Sequence, residues 1–141
     1  MRFRTLAVVV PTTALIVTAL AGCTALQTFA PTVTSDIFTD TKDMAKNAPA
    51  GFTAPTWVPA DATVIRVDFS TAGDGAMIMY TSKTHFADGT CTAKTAIPKP
   101  TIQDTWWPDK VPADAQSCPG GWAAFAVGDQ VYGWTGSNPR S

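Results

Sequence analysis

Few residues in this chain could do chemistry, and their spacing assigns little to them. His85 is the single histidine, with Asp88 and Cys91 downstream of it. Together these raise the idea of a metal site or a general base. A catalytic zinc takes three protein ligands, and a nucleophilic triad needs a Ser or Cys set against the imidazole. Neither can be assembled without using Cys91, so His85, in Thr-His-Phe-Ala-Asp-Gly, reads as an ordinary exposed loop residue. Gly73-Asp74-Gly75 lacks the third glycine and the lysine of a phosphate-cradling loop, and it falls between two expected strands instead of opening a helix. The aspartates are scattered singly, without the one-three-five spacing of a calcium loop. A glycosidase-like carboxylate pair would have to be assembled by the fold. No catalytic residue, metal or cofactor is therefore expected.

The aromatic residues offer more. Trp57, Trp106, Trp107, Trp122 and Trp134 are the five tryptophans, and rings of this size fill a small core, each burying about 150–250 Å². Trp122 and Trp134 are expected in that core. Trp106 and Trp107 are neighbours, and in an extended segment neighbouring side chains point to opposite faces. One of the two rings is therefore expected to stay exposed, where it could stack on a sugar ring, a peptide or the membrane interface. They are the candidate ligand-binding residues.

The N-terminus says where these residues work. Arg2 and Arg4 precede an uncharged, mostly apolar run from Leu6 to Leu20, which is the pattern of an export signal. A spanning helix needs about 20 apolar residues, so the run is short for a permanent anchor. It ends in Leu20-Ala21-Gly22-Cys23, which resembles a bacterial lipobox. That resemblance implies cleavage before Cys23 and a diacylglyceryl group on its thiol, with membrane lipid as the partner. Two acyl chains hold a protein where one binds only marginally. An ordinary cleaved signal and an uncleaved anchor are the alternatives. Three cysteines leave one over in an exported protein. With Cys23 lipidated, Cys91 and Cys118 remain as a disulfide pair for an oxidising compartment; the alternative is two separate buried thiols.

The elements that must position these groups follow from pattern. Residues 1–22 are read as the signal, 23–35 as a lipid-anchored tether with a reach of roughly 17–20 Å, and 36–141 as one extracytoplasmic domain. Asp36 to Lys46 is expected to be a helix, capped by Thr34 or Ser35 and striped by Ile37, Phe38, Thr41, Met44 and Ala45. Thr63 to Ser70 alternates as a strand, with Ile65, Val67 and Phe69 on one face and Val64, Arg66 and Asp68 on the other. Ala76 to Ser82 pairs with it. Trp122 to Val127 and Gln130 to Thr135 flank Gly128-Asp129, which suits a type II′ hairpin. Lys83 to Gly121 is a long Pro-rich connection stapled by the disulfide, with an edge strand expected at Ile102 to Trp107. Val58-Pro59-Ala60-Asp61-Ala62 recurs as Val111-Pro112-Ala113-Asp114-Ala115. Two similar Pro-started turns explain this more simply than a duplicated hairpin unit.

Composition agrees. The chain has no Glu, and Leu26 is its only Leu beyond the signal. It thus lacks two strong helix formers, while β-branched and aromatic residues are plentiful. The fold class expected is α+β, mostly β: a small antiparallel sheet of two hairpins with one short N-terminal helix. Ten Lys+Arg against eleven Asp+Glu leave no basic footprint for nucleic acid. The lipobox, residues 56–67, Thr105-Trp106-Trp107-Pro108, Cys118-Pro119-Gly120-Gly121-Trp122 and Val131-Tyr132-Gly133-Trp134-Thr135 resemble small uncharacterised lipoproteins of high-GC Gram-positive bacteria. The resemblance implies attachment to the outer face of the cytoplasmic membrane and no catalytic residues. The function expected is a non-enzymatic binding or envelope structural module, its partner cell-wall polysaccharide or another envelope protein. A small enzyme or accessory subunit acting on cell-wall material is the alternative.

Overall fold

Strand alternation governs more of this chain than its prolines and glycines suggest. The computed structural model describes residues 32–92 and 97–137. Cys23, the signal 1–22 and the tether up to residue 31 lie outside the described residues. Six strands are seen: β1 (Val33–Asp40), β2 (Thr63–Ser70), β3 (Ala76–Thr81), β4 (Gln116–Cys118), β5 (Trp122–Val127) and β6 (Gln130–Thr135). All neighbours are antiparallel, in one sheet ordered β1-β2-β3-β6-β5-β4. Among the described residues a single short α-helix, α1 (Thr41–Asn47), follows β1. The fold is mostly β, with two more strands than the two hairpins expected, one added at each edge.

The first addition corrects the helix expected from Asp36. A helical stripe would bury Ile37, yet Ile37 is 68% exposed while Phe38 is buried, which is the period of a strand. β1 pairs with β2 from Val33↔Ser70 to Asp40↔Thr63, so it begins inside the stretch read as tether and takes Val33, Thr34 and Ser35 into the domain. The helix waits for a better cap than Thr34 or Ser35. Asp40 Oδ1 accepts the N–H groups of Lys42 and Asp43 at 2.8 and 2.9 Å, and Asp43 Oδ2 accepts that of Thr39 at 2.8 Å. These bonds satisfy donors a helix start leaves open. At the far end Pro49 excludes the helical conformation from the residue before it, and Ala48 has ψ 132°.

The second addition is at the opposite edge. Ile102 to Trp107 forms no strand; Trp107 N–H donates to Asp104 C=O at 3.1 Å, closing a turn. β4 takes the edge instead. The Cys91–Cys118 disulfide joins it to the loop after β3, and Thr92 and Ser117 exchange two backbone bonds of 2.9 Å. Between β5 and β6, Gly128 has φ 59°, as the first position of a type II′ turn requires.

Each face of the sheet carries its own core. On one, Ile65, Val67, Phe69, Ile78, Tyr80, Trp122 and Val131 pack with Trp57 and with Met44 of α1. Trp57 crosses β6 at Gly133, where any Cβ would come 2.4 Å from its ring. On the other face, Met77, Ala123, Phe125 and Trp134 lie under Ile102 and Ala115 of the long connection. The repeated pentapeptides serve opposite faces. Each closes a turn in which the Pro carbonyl accepts from the Ala N–H, Ala62 to Pro59 at 3.1 Å and Ala115 to Pro112 at 3.4 Å. Ala62 is thereby buried in one core and Ala115 in the other. Proline thus opens each turn, with its carbonyl as the acceptor.

Candidate ligand-binding face

The second core is roofed over only part of its face. Register places Ile37, Arg66, Met79, Tyr132 and Phe125 side by side across β1, β2, β3, β6 and β5. Phe125 is buried, Met79 and Tyr132 are half-buried, and Ile37 is exposed. One row further out Val127 is 58% exposed. Two of the four exposed large apolar residues among the described residues thus stand on this half-face. A third, Val64, sits at the same end of β2, where a bulge opposite β3 leaves it at φ 50°. A β-branched residue there is a strained position.

The roof ends in the two adjacent tryptophans, which do not divide between opposite faces as strand alternation would have them. Trp106 and Trp107 are both half-buried and both belong to this face. Opposite-face alternation applies to extended chain, and these residues lie in a turn. Trp107 meets Tyr132 at 5.9 Å, Phe125 at 6.0 Å and Trp134 at 5.6 Å, in each case edge to face, the arrangement that ring quadrupoles favour. Trp106 lies 5.9 Å from Trp107. Trp122 and Trp134 are buried, as expected, one in each core.

A polar network secures the turn to the sheet. Trp106 Nε1 donates to Asp68 Oδ2 at 2.7 Å. Arg66 Nη2 donates to Asp104 Oδ2 at 3.0 Å, and its guanidinium lies 5.3 Å over the Trp106 ring, close enough for cation–π attraction. Asp104 also accepts from the Thr105 hydroxyl at 2.9 Å. Tyr132 donates its hydroxyl proton to Gln130 Oε1 at 2.8 Å. Strand alternation puts Arg66 and Asp68 on one face of β2 from sequence alone. Nothing local signals that Asp104 and Trp106, 38 residues further along, return to them.

Other groups that could do chemistry are engaged in structure. Ser82, Asp61 and His85 come together, but Ser82 Oγ donates to Asp61 at 2.7 Å and accepts the backbone N–H of His85 at 3.0 Å. The serine hydroxyl thus links the Asp61 carboxylate to main chain, and its bond to His85 is through the backbone N–H and not the imidazole. The Ser82 hydroxyl is the first cause holding the Asp61 carboxyl below its ordinary value. His85 is half-buried, not exposed, with φ 64°, and its carbonyl accepts from Tyr80 Oη at 2.6 Å. Burial pushes the Tyr80 hydroxyl far above its ordinary range. No group of three or more His, Cys, Asp or Glu residues that could hold a metal occurs among the described residues. Beside β4, Ile97, Pro98, Ser117, Cys118, Gly121, Trp122 and Ser137 line an open cleft of about 380 Å³ without an ionisable side chain. Compared with models of protein families, with curated proteins and with solved structures, the chain matches none.

Proposed function

We propose that the chain is a lipid-anchored extracytoplasmic binding module that holds envelope polysaccharide on the half-open face bearing Trp106, Trp107 and Tyr132. In this reading acylated Cys23 fixes it to the outer face of the cytoplasmic membrane, as in the small lipoproteins it resembles. The observation that carries the reading is the partial exposure of three aromatic rings on the same half-face as uncovered Ile37 and Val127, while the other half of that face is roofed. Exposed apolar surface of this kind marks binding sites. Rings with a polar fringe of Arg66, Asp104, Gln130 and the Tyr132 hydroxyl suit a ligand that is apolar on its flat sides and hydroxylated at its rim. The disulfide supports export, since such bonds persist in oxidising compartments.

The enzymatic alternative, cell-wall chemistry by an acidic pair, draws on Asp68 and Asp104. Asp68 has no exposed surface, and its Oδ2 is occupied by Trp106. It is out of reach of a substrate, which favours binding over catalysis. Retention on purified cell-wall polysaccharide tests the proposal. Trp107→Ala and Tyr132→Ala should each release the chain. Lys46→Ala on α1, which packs against the other face, should leave retention unchanged. Undiminished retention of both aromatic variants refutes the reading. Retention by an envelope protein, and not by polysaccharide, replaces the partner.

A further inference from the structure

Asp68 is the only buried carboxyl group among the described residues, and it lies directly beneath the ring that roofs the binding face. Its two oxygens have unequal surroundings. Oδ2 accepts the Trp106 indole N–H at 2.7 Å. Oδ1 is buried without a hydrogen-bond donor, as is Nε of Arg66, 3.9 Å away without an acceptor. Ser35 stands opposite Asp68 on β1, where its hydroxyl favours the charged carboxylate, and Met77 stands opposite it on β3, so the charged groups set against it are Arg66 and Asp104. Arg66 is shared between them, bonded to Asp104 at 3.0 Å and close to Asp68 without bonding it.

We propose that Asp68 is the positioning residue of the binding face, and that a proton on its carboxyl group sets how Trp106 is held. The inference rests on the reading of that face as the binding surface, although its chemistry is internal to the chain. With the proton on Oδ1, no charge is left on an oxygen that lacks a donor, and Oδ2 still accepts the indole N–H. Arg66 then serves Asp104 alone and stays over the Trp106 ring. When the proton leaves to water, the Asp68 carboxylate binds the indole more strongly. It also competes with Asp104 for the one guanidinium, against a second negative charge.

The order of titration supports two such states. Burial is the first cause raising the Asp68 carboxyl above its ordinary value; the Ser35 hydroxyl and the Trp106 indole N–H oppose it, the Asp104 carboxylate adds to it, and the net direction is upward. Asp104 is held below that value, first by its interaction with Asp68 and then by Thr105. As pH falls, Asp68 takes the proton first. Until Asp104 follows, Arg66, Asp68 and Asp104 sum to zero charge.

The test is the Trp106 indole resonance of the full chain in detergent micelles, with ¹⁵N-labelled tryptophan and assignment by Trp106→Phe. That resonance should move in one step whose midpoint lies above the ordinary carboxylate value of 3.8, while the N–H exchanges slowly with solvent throughout. Asp68→Asn presents the same acceptor and cannot titrate, so the step should vanish and slow exchange should remain. Asp104→Asn removes the neighbouring charge and should shift the midpoint down. A resonance with no step above 3.8, rapid exchange in Asp68→Asn, or an unmoved midpoint in Asp104→Asn each overturns the proposal. Should Asp68→Asn fail to fold, the other two measurements decide. A chain that titrates as described yet ignores polysaccharide refutes the binding reading and leaves the role of Asp68 standing.

Discussion

One added methyl group at Gly133 tests the packing that fixes the closed core. A Cβ there would lie 2.4 Å from Trp57 Cη2, 2.9 Å from Cζ2 and 3.0 Å from Ile78 Cγ2. Carbon atoms sit at about 3.5–4.0 Å when packed at their optimum, so something must move. Trp57 has no exposed surface, and Trp122, Tyr80 and Phe86 hold its ring at 5.7, 6.0 and 6.2 Å. Overpacking of this kind costs about 1–3 kcal/mol. Gly133 lies outside the positive-φ set, so alanine recovers about 0.4–1 kcal/mol by restricting the unfolded chain. Gly133→Ala should therefore lose about 1–2 kcal/mol net. Trp57→Phe removes the two clashing ring atoms and leaves a cavity, costing about 1–3 kcal/mol by itself. In the double variant the new methyl group enters that space, and the loss should fall short of the sum of the singles by about 1 kcal/mol. Urea unfolding followed by far-ultraviolet circular dichroism, with the disulfide intact, measures all four chains. A neutral Gly133→Ala, or strict additivity, would show that Trp57 does not lie against β6.

Three further outcomes are expected. Cys23→Ser should abolish fatty-acid incorporation and leave the precursor uncleaved at that position; equal labelling of variant and wild type refutes lipid attachment. Cys91 and Cys118 should resist alkylation until reductant is added, and Cys91→Ala should lose about 2–5 kcal/mol of unfolding free energy. Asp61 has its carboxyl lowered below 3.8 in the folded chain, chiefly by Ser82. Its contribution is present above that value and is lost as pH falls through the lower folded value. Asp61→Asn should therefore flatten part of the acid-side fall in stability, and an unchanged acid limb in denaturant titrations refutes that.

How much of this was legible depends on how local the deciding contact is. β2, β5 and β6 could be read to the residue, because alternation and a Gly-first turn are properties of adjacent residues. The disulfide followed from cysteine arithmetic. The sequence points to a helix where β1 forms because residues 36–46 satisfy a helical stripe as well as an alternating one. Its seven pairs with β2 decide the matter, and they depend on residues about 30 positions away. β4 has three residues, too short for any periodic signal, and is held by the bridge to Thr92 and by the disulfide. Trp106 and Trp107 were picked out by type and adjacency. Their half-burial on one shared face depends on a turn at Asp104, which side-chain alternation along an extended segment does not predict.

The two faces of the sheet divide the work. On the closed side Trp57 lies against a glycine, and α1 together with residues 48–62 completes the cover, so that Trp57 meets Tyr80, Phe86 and Trp122 while Phe52 meets Phe69. On the other side the connection from Ile97 to Ala115 covers only part of the face, and polar residues substitute for apolar cover. Arg66, Asp68 and Asp104 hold Trp106 by hydrogen bonds and an ion pair where a larger core would use aliphatic packing. A buried carboxyl is a costly means of attachment. Stability alone would be served as well by an apolar side chain under Trp106. What the carboxyl adds is direction, since it fixes the indole through a single N–H vector. A ring that only filled the core would not need that. A ring that has to present a set edge to a ligand would.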